Sequence, residues 1–201
     1  MISRRAAFSA AGGMAIAGVV GLAIVVDRSP TTSSGSAPGL PASLLPSVGP
    51  IEDSVAGEMF RLTIRSDAAT YGENVPIRIR AEFAYVGNGA SVRVFGAGAG
   101  IVVFSWEQLD GRLKQDWVVD DACRPWDINR GAPLSMPFSK SGSFGQDDPD
   151  AAFWRLFFAD PAFRLPAGRY RVHAHALYGI GGCGSDHSLD ASVVITVEKQ
   201  G

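Results

Sequence analysis

From Phe60 to Val197, apolar residues return at every second position in one short segment after another. A period of two sends successive side chains to opposite faces of an extended strand. Phe60, Leu62 and Ile64 alternate with Arg61, Thr63 and Arg65. After a turn at Tyr71-Gly72-Glu73-Asn74, Val75, Ile77, Ile79, Ala81 and Phe83 alternate with Arg78, Arg80 and Glu82. Pro76 belongs at the start of that strand, since proline cannot donate to a ladder. Val92 and Val94 follow, then the buried-looking run Ile101-Val102-Val103-Phe104-Ser105-Trp106. Asp110-Gly111 is a tight-turn signal that returns the chain through Leu113 to Trp117-Val118-Val119. Tyr170 to Tyr178 and Ala191 to Val197 read as the last two strands. Roughly seven to nine short strands without a long helix predict an all-β chain, most simply a sandwich.

One segment departs from the pattern. Asp148-Pro149-Asp150 combines an N-cap carboxylate, a proline suited to a first helical turn and further negative charge at the helix start. Ala151 to Phe158 then places Phe153, Leu156 and Phe157 on one face, which predicts a short helix covering an open end of the sandwich.

The N-terminus sets the compartment. Arg4 and Arg5 precede an uncharged apolar stretch from Ala6 to Val26, about the 20 residues a membrane span needs. Positive charge on its N-terminal side keeps that end in the cytoplasm. Ser3-Arg4-Arg5-Ala6-Ala7-Phe8 also resembles a twin-arginine export signal. Length favours an uncleaved apolar anchor helix over residues 1–26, whereas Gly35-Ser36-Ala37 would serve a cleaved signal peptide. Residues 27–57, rich in Ser, Thr, Pro, Gly and Ala, bury too little apolar surface to offset the entropy of ordering and read as a flexible stalk. Residues 58–201 then form one domain. The expected location is the outer face of the cell membrane, with secretion after cleavage as the alternative.

Leu165-Pro166-Ala167-Gly168-Arg169-Tyr170, followed by Arg171-Val172-His173-Ala174, resembles the E–F corner and strand F of immunoglobulin-like domains. With the earlier Tyr71-Gly72-Glu73 turn, the stretch from Phe60 to Val197 is similar to the uncharacterised immunoglobulin-like domains of bacterial envelope proteins and lipoproteins. The resemblance implies an immunoglobulin-like β-sandwich in which Tyr170 is the corner tyrosine. Val172 stands where an antibody domain would carry a core cysteine, a departure that favours a bacterial module. No activity follows from the resemblance.

Cys123 and Cys183 are the only cysteines. In an exported chain an even pair reads as one disulfide, here joining the segment Asp120 to Pro137, taken as irregular, to the glycine-rich loop Gly179 to Ser185. Loops held on a rigid scaffold are where binding surfaces form. Arg124, Trp126 and Asp127 beside Cys123, with Gly182 and Gly184 around Cys183, are therefore the candidate binding surface, because a tryptophan flanked by arginine is typical of a recognition hot spot.

Few catalytic signals accompany this frame. His173 and His175 share one strand face and read as outward-facing surface residues; with His187 they are the available imidazoles. The clusters Asp120-Asp121 and Asp147, Asp148, Asp150 lack the calcium-loop spacing. No Gly-x-Ser-x-Gly elbow occurs near Ser141-Gly142-Ser143. Gly96-Ala97-Gly98-Ala99-Gly100 leads into a strand and lacks a phosphate-loop lysine, so it reads as a hairpin turn or glycine bulge. No metal or cofactor is expected. A net charge of −2 with mixed signs gives no footprint for nucleic acid. The reading is a non-catalytic binding module of the cell envelope, its partner an envelope protein or glycan and its membrane contact made by the N-terminal segment. A protease-inhibitor-like module using Asp120 to Leu134, or a metal-dependent hydrolase using His173, His175 and the aspartates, are the alternatives.

Overall fold

A computed structural model describes residues 49–184 and 186–200; the apolar segment and all but the end of the expected stalk lie outside the described residues. No helix among them is long and apolar enough to cross a membrane. The described residues are all-β with one short helix. Its strands are β1 (Ile51–Ala56), β2 (Phe60–Ser66), β3 (Thr70–Gly72), β4 (Ile79–Tyr85), β5 (Ser91–Ala97), β6 (Val102–Gln108), β7 (Lys114–Gln115), β8 (Cys123–Asn129) and β9 (Leu134–Pro137). Helix α1 (Ala151–Ala159) and strands β10 (Gly168–Ile180) and β11 (His187–Glu198) complete the order. One sheet runs β1-β2-β4-β9. The other runs β3-β11-β10-β5-β8, with β6 also on β10 and β7 on β6.

The alternation puts the apolar sets where the sequence requires. Phe60, Leu62 and Ile64 of β2 and Ile79, Ala81, Phe83 and Tyr85 of β4 are buried, as are the alternate residues from Tyr170 to Tyr178 on β10 and Ala191 to Val197 on β11. The inner faces of the two sheets meet through these side chains. Tyr178 makes the junction, its ring 4.8 Å from Phe60 and 5.1 Å from Phe83. Tyr170 is fully buried and donates its hydroxyl to the Pro166 carbonyl at 2.9 Å. Burial raises its phenol well above the usual tyrosine range.

Strand β10 organises the second sheet. Its residues 170–176 pair with β6, while Gly179 and Ile180 pair with Phe95 and Val94 of β5. Strands β5 and β6 therefore lie end to end along one flank of β10. Between them residues 96–101 stand against only Leu177 and Tyr178, so the glycine-rich run is a bulged turn, closed by Gly100 N–H on the Ala97 carbonyl at 3.1 Å. Gly100 has φ +145°, a region L side chains rarely adopt, which is the physical reason for glycine there.

Several elements differ from the sequence expectation. The domain begins before residue 58: Ile51–Ala56 pairs antiparallel with β2, and the Asp53 carboxylate accepts the Ser192 N–H of β11 at 3.0 Å. Its Glu52-Asp53-Ser54 centre hides a strand signal that only pairing with β2 supplies. Strand β7 stops at Gln115, leaving Trp117, Val118 and Val119 outside any strand. Helix α1 starts at Ala151, with Asp150 at the N-cap position and the Asp148 carboxylate accepting the Asp150 N–H in a local turn at 2.7 Å. Its buried face is Ala151, Trp154 and Phe157, while Leu156 is 74% exposed. Trp154 displaces Leu156 from the core because the larger ring packs on Trp106, centroid to centroid 5.7 Å.

Candidate functional site

The Cys123–Cys183 disulfide forms, with Cα atoms 5.8 Å apart. It ties the first residue of β8 to the glycine loop between β10 and β11. That loop folds back tightly on its own strand: a Cβ on Gly179 would come within 2.2 Å of the Gly184 carbonyl oxygen. Beside the bond is a cavity of about 340 Å³ lined by Phe95, Val119, Asp120, Leu177, both cysteines and Gly184, among others. Asp120 shapes its wall, accepting the Gly98 N–H at 2.7 Å and the Ala122 N–H at 3.2 Å, so the carboxylate pins the 116–122 segment to the bulged turn.

The residues expected around Trp126 lie on a paired strand and on the tied loop. Asp120 to Pro137 is not irregular: it holds β8 and β9, and Trp126 sits on β8 opposite Val94 of β5, half-buried and packed against the core. Period two sends Arg124 and Trp126 to one face and Asp127 to the other. Asp127 is held in a bidentate pair with Arg93, both N···O distances 2.8 Å, which pulls its carboxyl below the usual range. Cys123–Asn129, within the segment Asp120 to Leu134 considered for an inhibitor loop, is paired along β5. Arg124 stays exposed next to the disulfide, and Gly182 and Gly184 lie in the tied loop.

An exposed apolar stretch lies at Trp117, Val118 and Val119. Trp117 is 39% exposed and Val118 57%. The segment crosses the outer face of the second sheet, putting the Trp117 ring 5.9 Å from His175 and Val119 beside Leu177 in the cavity wall. His173, His175 and Leu177 are successive outward positions on β10, so this column leads from the imidazoles to the cavity.

His173 and His175 do stack on one outward face, ring centroids 5.6 Å apart. His187 does not join them: it pairs in register with inward-facing Tyr178 and stacks on its ring at 5.3 Å. The outer face also brings together residues that no local motif connects. His175 is the register partner of Asp190 on β11, and Ser105 on β6 is the partner of His173. The His175 Nδ1 lies 2.5 Å from Asp190 Oδ1, and Nε2 lies 2.8 Å from Ser105 Oγ. An ionised carboxylate only accepts, so Nδ1 carries the proton. Nε2 of the neutral ring is then the acceptor, and the Ser105 hydroxyl donates to it. The only local hint of this arrangement was a serine interrupting the apolar run 101–106, together with the alternate histidines.

Asp120, Asp148 and Asp150 of the aspartate clusters are engaged in the scaffold. Asp150 pairs with Arg112 at 2.6 Å, and Asp148 and Asp120 accept backbone N–H groups as described. Among the described residues, no group of three or more His, Cys, Asp or Glu is placed to hold a metal ion.

Burial, and next the neighbouring His175, hold the His173 imidazole below the ordinary histidine range. A histidine whose pKa is lowered in the fold binds its proton more readily when unfolded, so stability falls as pH drops through the unfolded value near 6.5 and levels off below the folded one. The thermal midpoint is therefore expected to fall on acidification from pH 7 to pH 5, and His173→Gln is expected to flatten that dependence. Identical pH profiles for the two proteins, measured by calorimetry, would refute the assignment.

No known protein-family model matches the chain, and no curated protein matches it.

Proposed function

We propose that the chain is an exported, membrane-tethered module of a bacterial cell envelope. Its immunoglobulin-like sandwich binds an envelope protein or glycan at the disulfide-tied end. The observation that carries this reading is the continuity of exposed Trp117 and Val118 with the cavity beside Cys123–Cys183. Apolar side chains left in solvent on a pinned segment cost free energy in the isolated domain that a partner recovers by covering them. The buried Tyr170 corner, with its bond to Pro166, supports the immunoglobulin-like assignment. The apolar run behind Arg4 and Arg5 supports export and tethering.

The test is titration of the full-length chain against fractionated envelope proteins and glycans, by calorimetry or interferometry. A saturable partner is expected, and Trp117→Ala combined with Val118→Asp should weaken it about tenfold or more, as truncation of a central aromatic anchor does. The thermal midpoint should stay nearly unchanged, because both side chains are exposed. Full affinity in the double variant would remove this surface from the binding site.

A further inference from the structure

Three polar side chains are buried among the described residues: Ser66, Ser105 and Gln115. Two have structural partners. Ser66 bonds the Ala68 carbonyl and the Tyr71 hydroxyl, and Gln115 Oε1 accepts the Trp106 indole N–H. Ser105 differs: its hydroxyl is aimed at an imidazole that is itself oriented by a carboxylate. Hydroxyl to base to orienting acid is the arrangement that turns a weak serine nucleophile into a reactive one.

The geometry points to Ser105 as an acyl-accepting nucleophile, with His175 as its general base and Asp190 orienting that base, acting on small activated esters. Register alone builds the constellation. Ser105, His175 and Asp190 rise from the same face of neighbouring strands β6, β10 and β11, so the sheet fixes their spacing. Leu177 is the next outward residue of β10 after His175, roughly 7 Å along the strand. Ser105 itself pairs with His173, four residues before Leu177 and roughly 13 Å along the strand, so the acyl group stays beside His173 and the cavity lined by Leu177 and Val119 lies outside this site. The Trp117 ring near His175 shields the base from bulk water and limits the site to small substrates.

The step balances without any further reagent. The Ser105 Oγ forms a bond to the ester carbonyl carbon as its proton passes to His175 Nε2. The carbon–oxygen bond to the leaving alcohol then breaks, and the alcohol takes that proton. Water reverses the sequence, giving the free acid and restoring the hydroxyl. The sheet also sets the limit on rate. Amide N–H groups in a ladder lie in the plane of the sheet and bond the neighbouring strand, so no backbone pair faces an oxyanion above Ser105. Backbone and side-chain donors of that kind contribute about 10²–10³-fold per donor in hydrolases; turnover here is accordingly slow, and with an activated ester, whose good leaving group speeds acylation but not deacylation, the acyl-enzyme accumulates. The site shares Trp117 with the surface proposed for partner binding, and labelling of Ser105 tests it whether or not a partner binds.

The experiment treats the full-length chain with a small alkyl fluorophosphonate and with p-nitrophenyl acetate, and maps adducts by peptide mass spectrometry. The expected result is one phosphonyl or acetyl group on Ser105, absent in Ser105→Ala. Its rate should fall about 100-fold or more in His175→Gln, the range general-base catalysis contributes, and also fall in Asp190→Asn. Asp190 is largely exposed, so that variant keeps the test valid even where His175→Gln folds poorly. Trp117→Ala should label at least as fast as the wild type, because it uncovers the base. Absence of a Ser105 adduct in both the wild type and Trp117→Ala would overturn the inference. So would a Ser105 labelling rate that neither His175→Gln nor Asp190→Asn lowers, which would make the hydroxyl a bystander.

Discussion

Replacing Trp106 with alanine is expected to remove about 3–5 kcal/mol of stability, the range for truncating a buried tryptophan. Trp106 is 1% exposed and stands at the junction of sheet and helix. Its ring lies 5.7 Å from Trp154, 5.6 Å from Phe157 and 5.7 Å from Tyr170, so the cavity left by alanine would be lined by rigid aromatics that cannot readily collapse into it. A second effect adds to the first. The indole N–H donates to Gln115 Oε1 at 3.0 Å, and removing it leaves a buried acceptor unpaired, at a further cost of about 1–3 kcal/mol. Domains of this size are stable by only about 5–15 kcal/mol in all, so the variant sits near the edge of folding at ambient temperature. Trp106→Phe should recover a large part of the loss by keeping a ring against Trp154 and Phe157, though not the hydrogen bond. Chemical denaturation of both variants checks this. A loss below about 1 kcal/mol for alanine would mean that α1 does not depend on Trp106 for its place.

Converting both cysteines to serine is expected to cost up to about 4 kcal/mol, the chain-entropy value for a closed loop of this length. The sequence separation of 60 is what makes the effect large: the bond restricts a long stretch of the unfolded chain, including β8, β9 and α1. The folded state should change mainly at one end. The loop at Gly181–Gly184 is tied to β8 by this bond, so hydrogen exchange should speed up there and along Cys123–Asp127 while the paired centre of β10 stays protected. The wild-type protein under reducing conditions should behave like the double variant. Equal denaturation midpoints for the oxidised protein and the double variant would show that the unfolded chain is already restricted without the bond.

The helix shows how far local pattern reaches. Asp148-Pro149-Asp150 marks the helix start to within a few residues, but not as a cap: Asp150 at the N-cap makes no side-chain cap hydrogen bond, no acidic residue lies in the first turn, and the Asp148 carboxylate closes the turn that leads into the helix. The inward face is a different matter. Phe153, Leu156 and Phe157 satisfy helical spacing as well as Ala151, Trp154 and Phe157 do, and the choice rests with Trp106, a residue on a strand far away in the chain. The same holds for Trp117-Val118-Val119: its β-branched run suits a strand, yet β7 stops at Gln115 and the segment crosses the sheet, where Asp120 fastens it to Gly98.

The all-β class, the inward sets of β2, β4, β10 and β11, with Tyr170 among them, and the pairing of Cys123 with Cys183 are legible in the sequence. Each of these follows from short-range periodicity or from there being a single possible cysteine pair. Tertiary structure alone decided that Ile51–Ala56 is a strand and that Trp126 is held in β8. It also decided that Ser105, His175 and Asp190 meet. Those outcomes depend on which strands become neighbours and in what register, and a shift of one residue would send every one of these side chains to the opposite face. Register is set by the whole core at once, so no local stretch of the chain records it.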